Sequence, residues 1–76
     1  MKDLVEYIAK SLVEEPGHVV VQEVEGDRAT IYQLRVSPDD RGRVIGRQGR
    51  TARSIRTLLN AAGSKAGRRV VLEILE

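Results

Sequence analysis

The chain has no cysteine, tryptophan or phenylalanine, and only one histidine. Without cysteine it can build neither a disulfide framework nor a thiolate zinc site, and a lone histidine leaves the usual mixed ligand sets incomplete. The reading is of a protein with no metal and no other cofactor. His18 opens an expected strand with no nucleophile or acid spaced to form a triad, so it reads as an ordinary surface residue, and no enzymatic activity is expected. Asp39 and Asp40, beside Ser37 and Pro38, read as turn and cap residues rather than as a paired general acid and base. The aromatic complement is Tyr7 and Tyr32 alone, too few for the folds that stack bases on exposed rings. No apolar run approaches the roughly 18 residues that span a bilayer, and Met1-Lys2-Asp3-Leu4 opens amphipathically rather than as a signal peptide. A soluble, cytoplasmic protein is expected, with no membrane segment and no small-molecule substrate.

One stretch lacks acidic residues altogether: there are none between Arg41 and Arg69. Residues 1–40 carry four Lys/Arg against nine Asp/Glu, a net of −5, whereas residues 41–76 carry nine against two, a net of +7. A solvated helix face would interleave the two signs, so a basic block of this density points to a polyanion, either nucleic acid or an anionic membrane surface. At 76 residues there is room for one core. A chain this short buries only about 60% of its unfolded surface, so stability is expected to be modest or helped by a partner.

The apolar pattern divides the chain into six elements. Leu4, Val5, Ile8, Ala9, Leu12 and Val13 recur at helical spacing and predict an amphipathic helix over 3–14, ended by Pro16-Gly17. His18 to Glu25 is valine-rich and reads as a strand, followed by a tight turn at Glu25-Gly26-Asp27-Arg28. Thr30, Tyr32, Leu34 and Val36 alternate with Ile31, Gln33 and Arg35 in a second strand. Ser37, Asp39 and Asp40 are candidate N-caps for a short helical turn through Arg43-Val44-Ile45. Beyond Gly46-Arg47-Gln48-Gly49, the residues Ala52, Ile55, Leu58, Leu59 and Ala62 share one helical stripe, with Arg50, Arg53, Arg56 and Asn60 on the opposite side. That helix is expected to end between Ala62 and Ala66, with Gly67 as a left-handed cap and Gly63 an internal weak point, before a last strand over 70–75. The order α-β-β-α-α-β predicts an α+β fold: a single domain over 1–76 with three helices on one face of a three-stranded sheet. Within it, an N-terminal helix and strand (1–25) precede a β-α-α-β core (29–76).

Two glycines three apart between short helices let the backbone pass close to another chain, and the N–H groups at the start of the next helix attract an anion such as phosphate. A P-loop is excluded by the missing Gly-Lys-Ser/Thr, and a dinucleotide fingerprint by the spacing of Gly42, Gly46 and Gly49 and by the lack of an expected parallel crossover. Taken singly, two glycines turning the chain between helices would be unremarkable.

The whole run from Gly42 to Ile55, with its Val44-Ile45-Gly46-x-x-Gly49 loop and following helix, resembles the signature of the KH (K-homology) family. The element order resembles its bacterial type II arrangement, and the chain as a whole resembles the small stand-alone bacterial proteins of the KhpA (YlqC) type. That resemblance implies a loop that clamps the backbone of about four single-stranded RNA nucleotides while the bases lie along a groove between the flanking helices and a strand. Carried onto this sequence, Gly46, Arg47, Gln48 and Gly49 form the clamp, Arg43, Arg50 and Arg53 hold phosphates, and Ile45, Ala52 and Ile55 lie under or beside the groove. The family resemblance further implies an RNA chaperone or post-transcriptional regulator that pairs with a larger Jag-type KH protein. With the small core, it also raises the expectation of a homodimer. A second reading stays open, in which the fold serves mainly as a protein-interaction subunit.

Overall fold

The computed structural model describes residues 1–76. Helix α1 (Lys2–Leu12) turns Val5 and Ala9, one turn apart, into the core and leaves Asp3 in its first turn and Lys10 in its last, each at the helix end where its charge is favoured. It stops where Val13 turns extended, and a single tight turn at Pro16–His18 leads into strand β1 (Val20–Glu25), two residues later than the valine-rich run predicts. Strand β2 spans Ala29–Arg35, the five-residue helix α2 Arg41–Ile45, helix α3 Arg50–Lys65 and strand β3 Arg69–Ile74.

The sheet order is β1-β2-β3. β1 runs antiparallel to β2, with Val24 opposite Ile31, while β2 and β3 are parallel, with Tyr32 beside Leu72. The parallel pair corrects one expectation: β2-α2-α3-β3 is a parallel crossover, and only the glycine spacing excludes a dinucleotide fingerprint. Period-two alternation sends Val21, Thr30, Tyr32, Leu34, Val70 and Leu72 toward the helices, where they meet Val5, Ala9, Val44, Ile55 and Leu59. Leu34, Leu59, Val5 and Val44 are fully enclosed, each such side chain contributing roughly 1.5–3 kcal/mol of burial. The opposite sheet face carries Val20, Val24, Gln33 and Arg35, uncovered by any helix. This is the α+β type II KH arrangement, with three helices on one face of a three-stranded sheet.

Two local expectations change. Gly63 is buried against the start of β3: a Cβ there would stand 2.8 Å from the Arg68 carbonyl and meet the Val70 side chain. It is a packing glycine rather than a weak point. Leu58, assigned by periodicity to the apolar stripe, is 51% exposed, because the α3 surface that reaches the sheet is narrower than the stripe, centred on Ala52, Ile55, Leu59 and Gly63.

Candidate nucleic-acid interface

The Gly46–Gly49 segment joins α2 to α3 in a conformation that ordinary side chains avoid. Gly46, Gln48 and Gly49 all have positive φ, at 76°, 57° and 74°, and the Gly49 amide closes the turn on the Gly46 carbonyl at 3.1 Å. The two glycines serve different ends. A Cβ on Gly46 would stand 2.6 Å from the Thr51 Cβ and overlap its hydroxyl, so Gly46 is required by the protein's own first α3 turn. A Cβ on Gly49 would meet nothing within 4 Å. Its glycine answers to φ alone, and the space above it is open to another molecule.

Arg47 and Gln48 are exposed between these glycines, Arg50 is the first residue of α3 and Arg53 lies one turn further on the same side. None of these three arginines takes part in an ion pair or a side-chain hydrogen bond; the basic side chains that do make such contacts are Lys10, His18, Arg41, Arg43, Arg56 and Arg68. No side chain caps α3, and its first turn has no acidic residue. Cations at the positive end of a helix are unfavourable by roughly 0.3–1 kcal/mol each, so the molecule concentrates there a positive charge that it does not itself neutralise. Backbone N–H groups, the helix dipole and three arginines without an internal partner lie at this end of α3, a set whose chemistry suits an anion of the phosphate type.

The other expected site residues divide around this centre. Ile45 ends α2 beside the loop and is 38% exposed, whereas Ala52 and Ile55 are buried beneath the first turns of α3. Arg43 sits a turn before the loop, but its guanidinium is shared by Asp40 at 3.1 Å and Glu14 at 2.8 Å. Arg56 reaches across to the Leu72 carbonyl on β3 at 3.3 Å. Tyr32 is in the core and Tyr7 is 72% exposed on α1.

Asp40 holds the site in place by a contact that local sequence does not show. None of Ser37, Asp39 or Asp40 makes a side-chain cap to the turns that follow them, which corrects their reading as N-caps. The buried Asp40 carboxylate instead accepts the Glu14 and Glu15 amides, each at 3.1 Å, from just after α1 some 25 residues earlier. The Glu14 amide, then that of Glu15 and the Arg43 guanidinium, hold its carboxyl below the ordinary carboxylate value against the opposing effect of burial. α2, and with it the loop it leads into, is thereby fastened to the chain just after α1.

The family model described as the KhpA/KhpB KH domain matches residues 2–74. Among similar proteins, the RNA-binding protein KhpA of Aquifex aeolicus is 54% identical over 76 residues, covering all of this chain and 96% of that protein. Its namesake in Clostridium perfringens is 55% identical over 75 residues, 99% of this chain and all of that one. The KhpA of Listeria monocytogenes is 49% identical over the full length of both. No solved structure matches the chain. Fold order, the Gly46–Gly49 loop and these matches agree, and the chain belongs to the KhpA/KhpB family of KH-domain proteins.

Proposed function

We propose that this chain binds single-stranded RNA by clamping its backbone at the Gly46–Gly49 loop, and works by binding rather than catalysis as a cytoplasmic RNA chaperone or post-transcriptional regulator. The observation that carries the reading is the set of unpaired arginines, Arg47, Arg50 and Arg53, gathered at the uncapped positive end of α3. A phosphate-binding role for them accords with the relatives, which are named as RNA-binding proteins. Gly46 and Gly49 shape the clamp, Gln48 faces the backbone between them, and Ile45, exposed at the end of α2, borders the bases. Arg43 contributes least, since two carboxylates already hold it. A binding protein of this kind needs no helix that crosses a membrane, and no helix here is long and apolar enough to do so.

A second role is favoured by one surface. Leu58, 51% exposed, lines with Ala61, Ala62 and Lys65 a shallow concavity of about 340 Å³ on α3, away from the clamp. An apolar surface of this sort on a small protein fits docking of a second copy, or of a larger KH protein of the Jag type.

The test of the RNA reading is the salt dependence of binding. Three phosphate contacts at about 0.7 per contact give a slope near −2 in log affinity against log salt. A slope near zero would exclude a phosphate clamp.

A further inference from the structure

The geometry points to Glu14 as a built-in competitor of the RNA backbone: its carboxylate occupies the outward end of the Arg43 guanidinium, which Asp40 aims and which a phosphate takes over when RNA binds. The inference rests on the clamp described above and adds to it a residue from the other, acidic half of the chain.

The two carboxylates that share Arg43 are not equivalent. Asp40 meets the Nε of Arg43 at 3.1 Å from a side chain only 3% exposed, itself fixed by the Glu14 and Glu15 amides. Glu14 meets a terminal nitrogen of the same guanidinium at 2.8 Å from a side chain 72% exposed, with no other partner for its carboxylate. One contact is buried and braced, the other lies in solvent. Held at Nε, the fork cannot swing freely, so its terminal N–H groups keep one direction whether or not Glu14 is present. An exposed pair of this kind is weak and screened by salt, so a phosphate, which presents the same geometry with more charge, can replace it.

Arg43 is also the right cation for such an exchange. It precedes Gly46 by three residues on α2, about one helical turn from the clamp. Arg47, Arg50 and Arg53 have no internal partner to give up, so they attract RNA from the outset. Arg43 joins only when the RNA displaces Glu14. The consequence is an affinity lower than the arginine count would provide, set by a side chain that contacts no nucleotide.

The experiment is a fluorescence-anisotropy titration of the full chain with a fluorescein-labelled single-stranded RNA 12-mer of mixed sequence, over a potassium chloride series. Glu14→Gln should tighten binding about threefold at low salt and steepen the salt slope, because the Glu14–Arg43 pair that RNA must break in the wild type is itself weakened as salt rises. Glu15→Gln, which removes the same charge from the next residue without freeing Arg43, should leave the slope as in the wild type. Arg43→Gln should abolish the gain, so that the Glu14→Gln/Arg43→Gln double variant binds like Arg43→Gln alone. An unchanged slope in Glu14→Gln, or an equal gain in Glu15→Gln, overturns the competitor role. Replacing Arg47 and Gln48 with aspartate separates this from the parent reading: if that variant binds like the wild type, the clamp itself is wrong. If it loses binding while Glu14→Gln changes nothing, only the inference about Glu14 fails.

Discussion

The two ends of α3 are built from the same materials and do opposite things. Each is formed around glycine in the left-handed region, Gly46 and Gly49 before the helix and Gly67 after it, and each is flanked by arginine. At the C-terminal end the turn and Arg68 find their partners inside the molecule. The amides of Gly67 and Arg68 close on the carbonyls of Ser64 and Gly63 in a Schellman arrangement, and the Arg68 side chain bonds the Thr30 hydroxyl, the Gly26 carbonyl and Glu25. That end ties α3 and β3 to the β1–β2 hairpin. At the N-terminal end the cap is missing and the arginines stand alone. Composition does not distinguish the braced end from the open one here. What distinguishes them is whether the partners of the polar groups are inside the molecule.

The largest expected effect breaks this contrast at its open end. Replacing Arg47 and Gln48 together with aspartate should reduce single-stranded RNA affinity by at least about 2 kcal/mol, some thirtyfold, since repulsion replaces a phosphate contact. Aspartate tolerates the left-handed conformation of position 48, and both positions are exposed, so unfolding free energy should move by no more than about 0.5 kcal/mol. Anisotropy and urea denaturation measure the two quantities. The mirror experiment is Gly63→Ala at the closed end. Overlap with Arg68 and Val70 costs roughly 1–3 kcal/mol and better helix propensity returns about 1 kcal/mol, leaving a net loss near 1 kcal/mol in the same denaturation, with RNA affinity unchanged.

A smaller pair sharpens the comparison by making one chemical change at both ends. Arg68→Gln should lower stability by about 1 kcal/mol through its lost hydrogen bonds and leave RNA binding alone. Arg50→Gln should raise stability by about 0.3–0.5 kcal/mol, because a cation leaves the positive end of a helix, while weakening RNA binding. The gentlest probe is acid. Since the Asp40 carboxyl is held below its ordinary value in the fold, its staple is complete above the unfolded value and is lost as pH falls through the folded one. Melting temperatures of the wild type should drop through that window, and those of Asp40→Asn should drop less.

The sequence made the site more legible than the framework that holds it. The glycine loop, the basic block and the helix behind them lie within one stretch of chain, so spacing alone brings Gly46, Arg47, Gln48, Gly49, Arg50 and Arg53 together. The six elements are legible for the same reason, since periodicity is a local property. Contacts between distant segments are not. Asp40 reads as a cap because its neighbours are turn residues, yet its partners lie about 25 positions earlier. Arg68 reads as one more member of the basic block, and only the fold brings Gly26, Thr30 and Glu25 to it. Gly63 reads as a flaw in a helix until β3 is laid against it. Arg43 shows the same limit within the site: its position places it with the clamp, and its engagement with Glu14 sets it apart.

The most direct test of the open end of α3 as the RNA site is a titration of the ¹⁵N-labelled chain with a single-stranded RNA oligonucleotide, followed by amide chemical shifts. The account predicts that the largest shifts fall on residues 46 to 53, while the amides of Gly63 to Arg68 at the closed end stay in place. Shifts centred instead on Leu58 to Lys65, or on the uncovered sheet face around Gln22, Gln33 and Arg35, would contradict it.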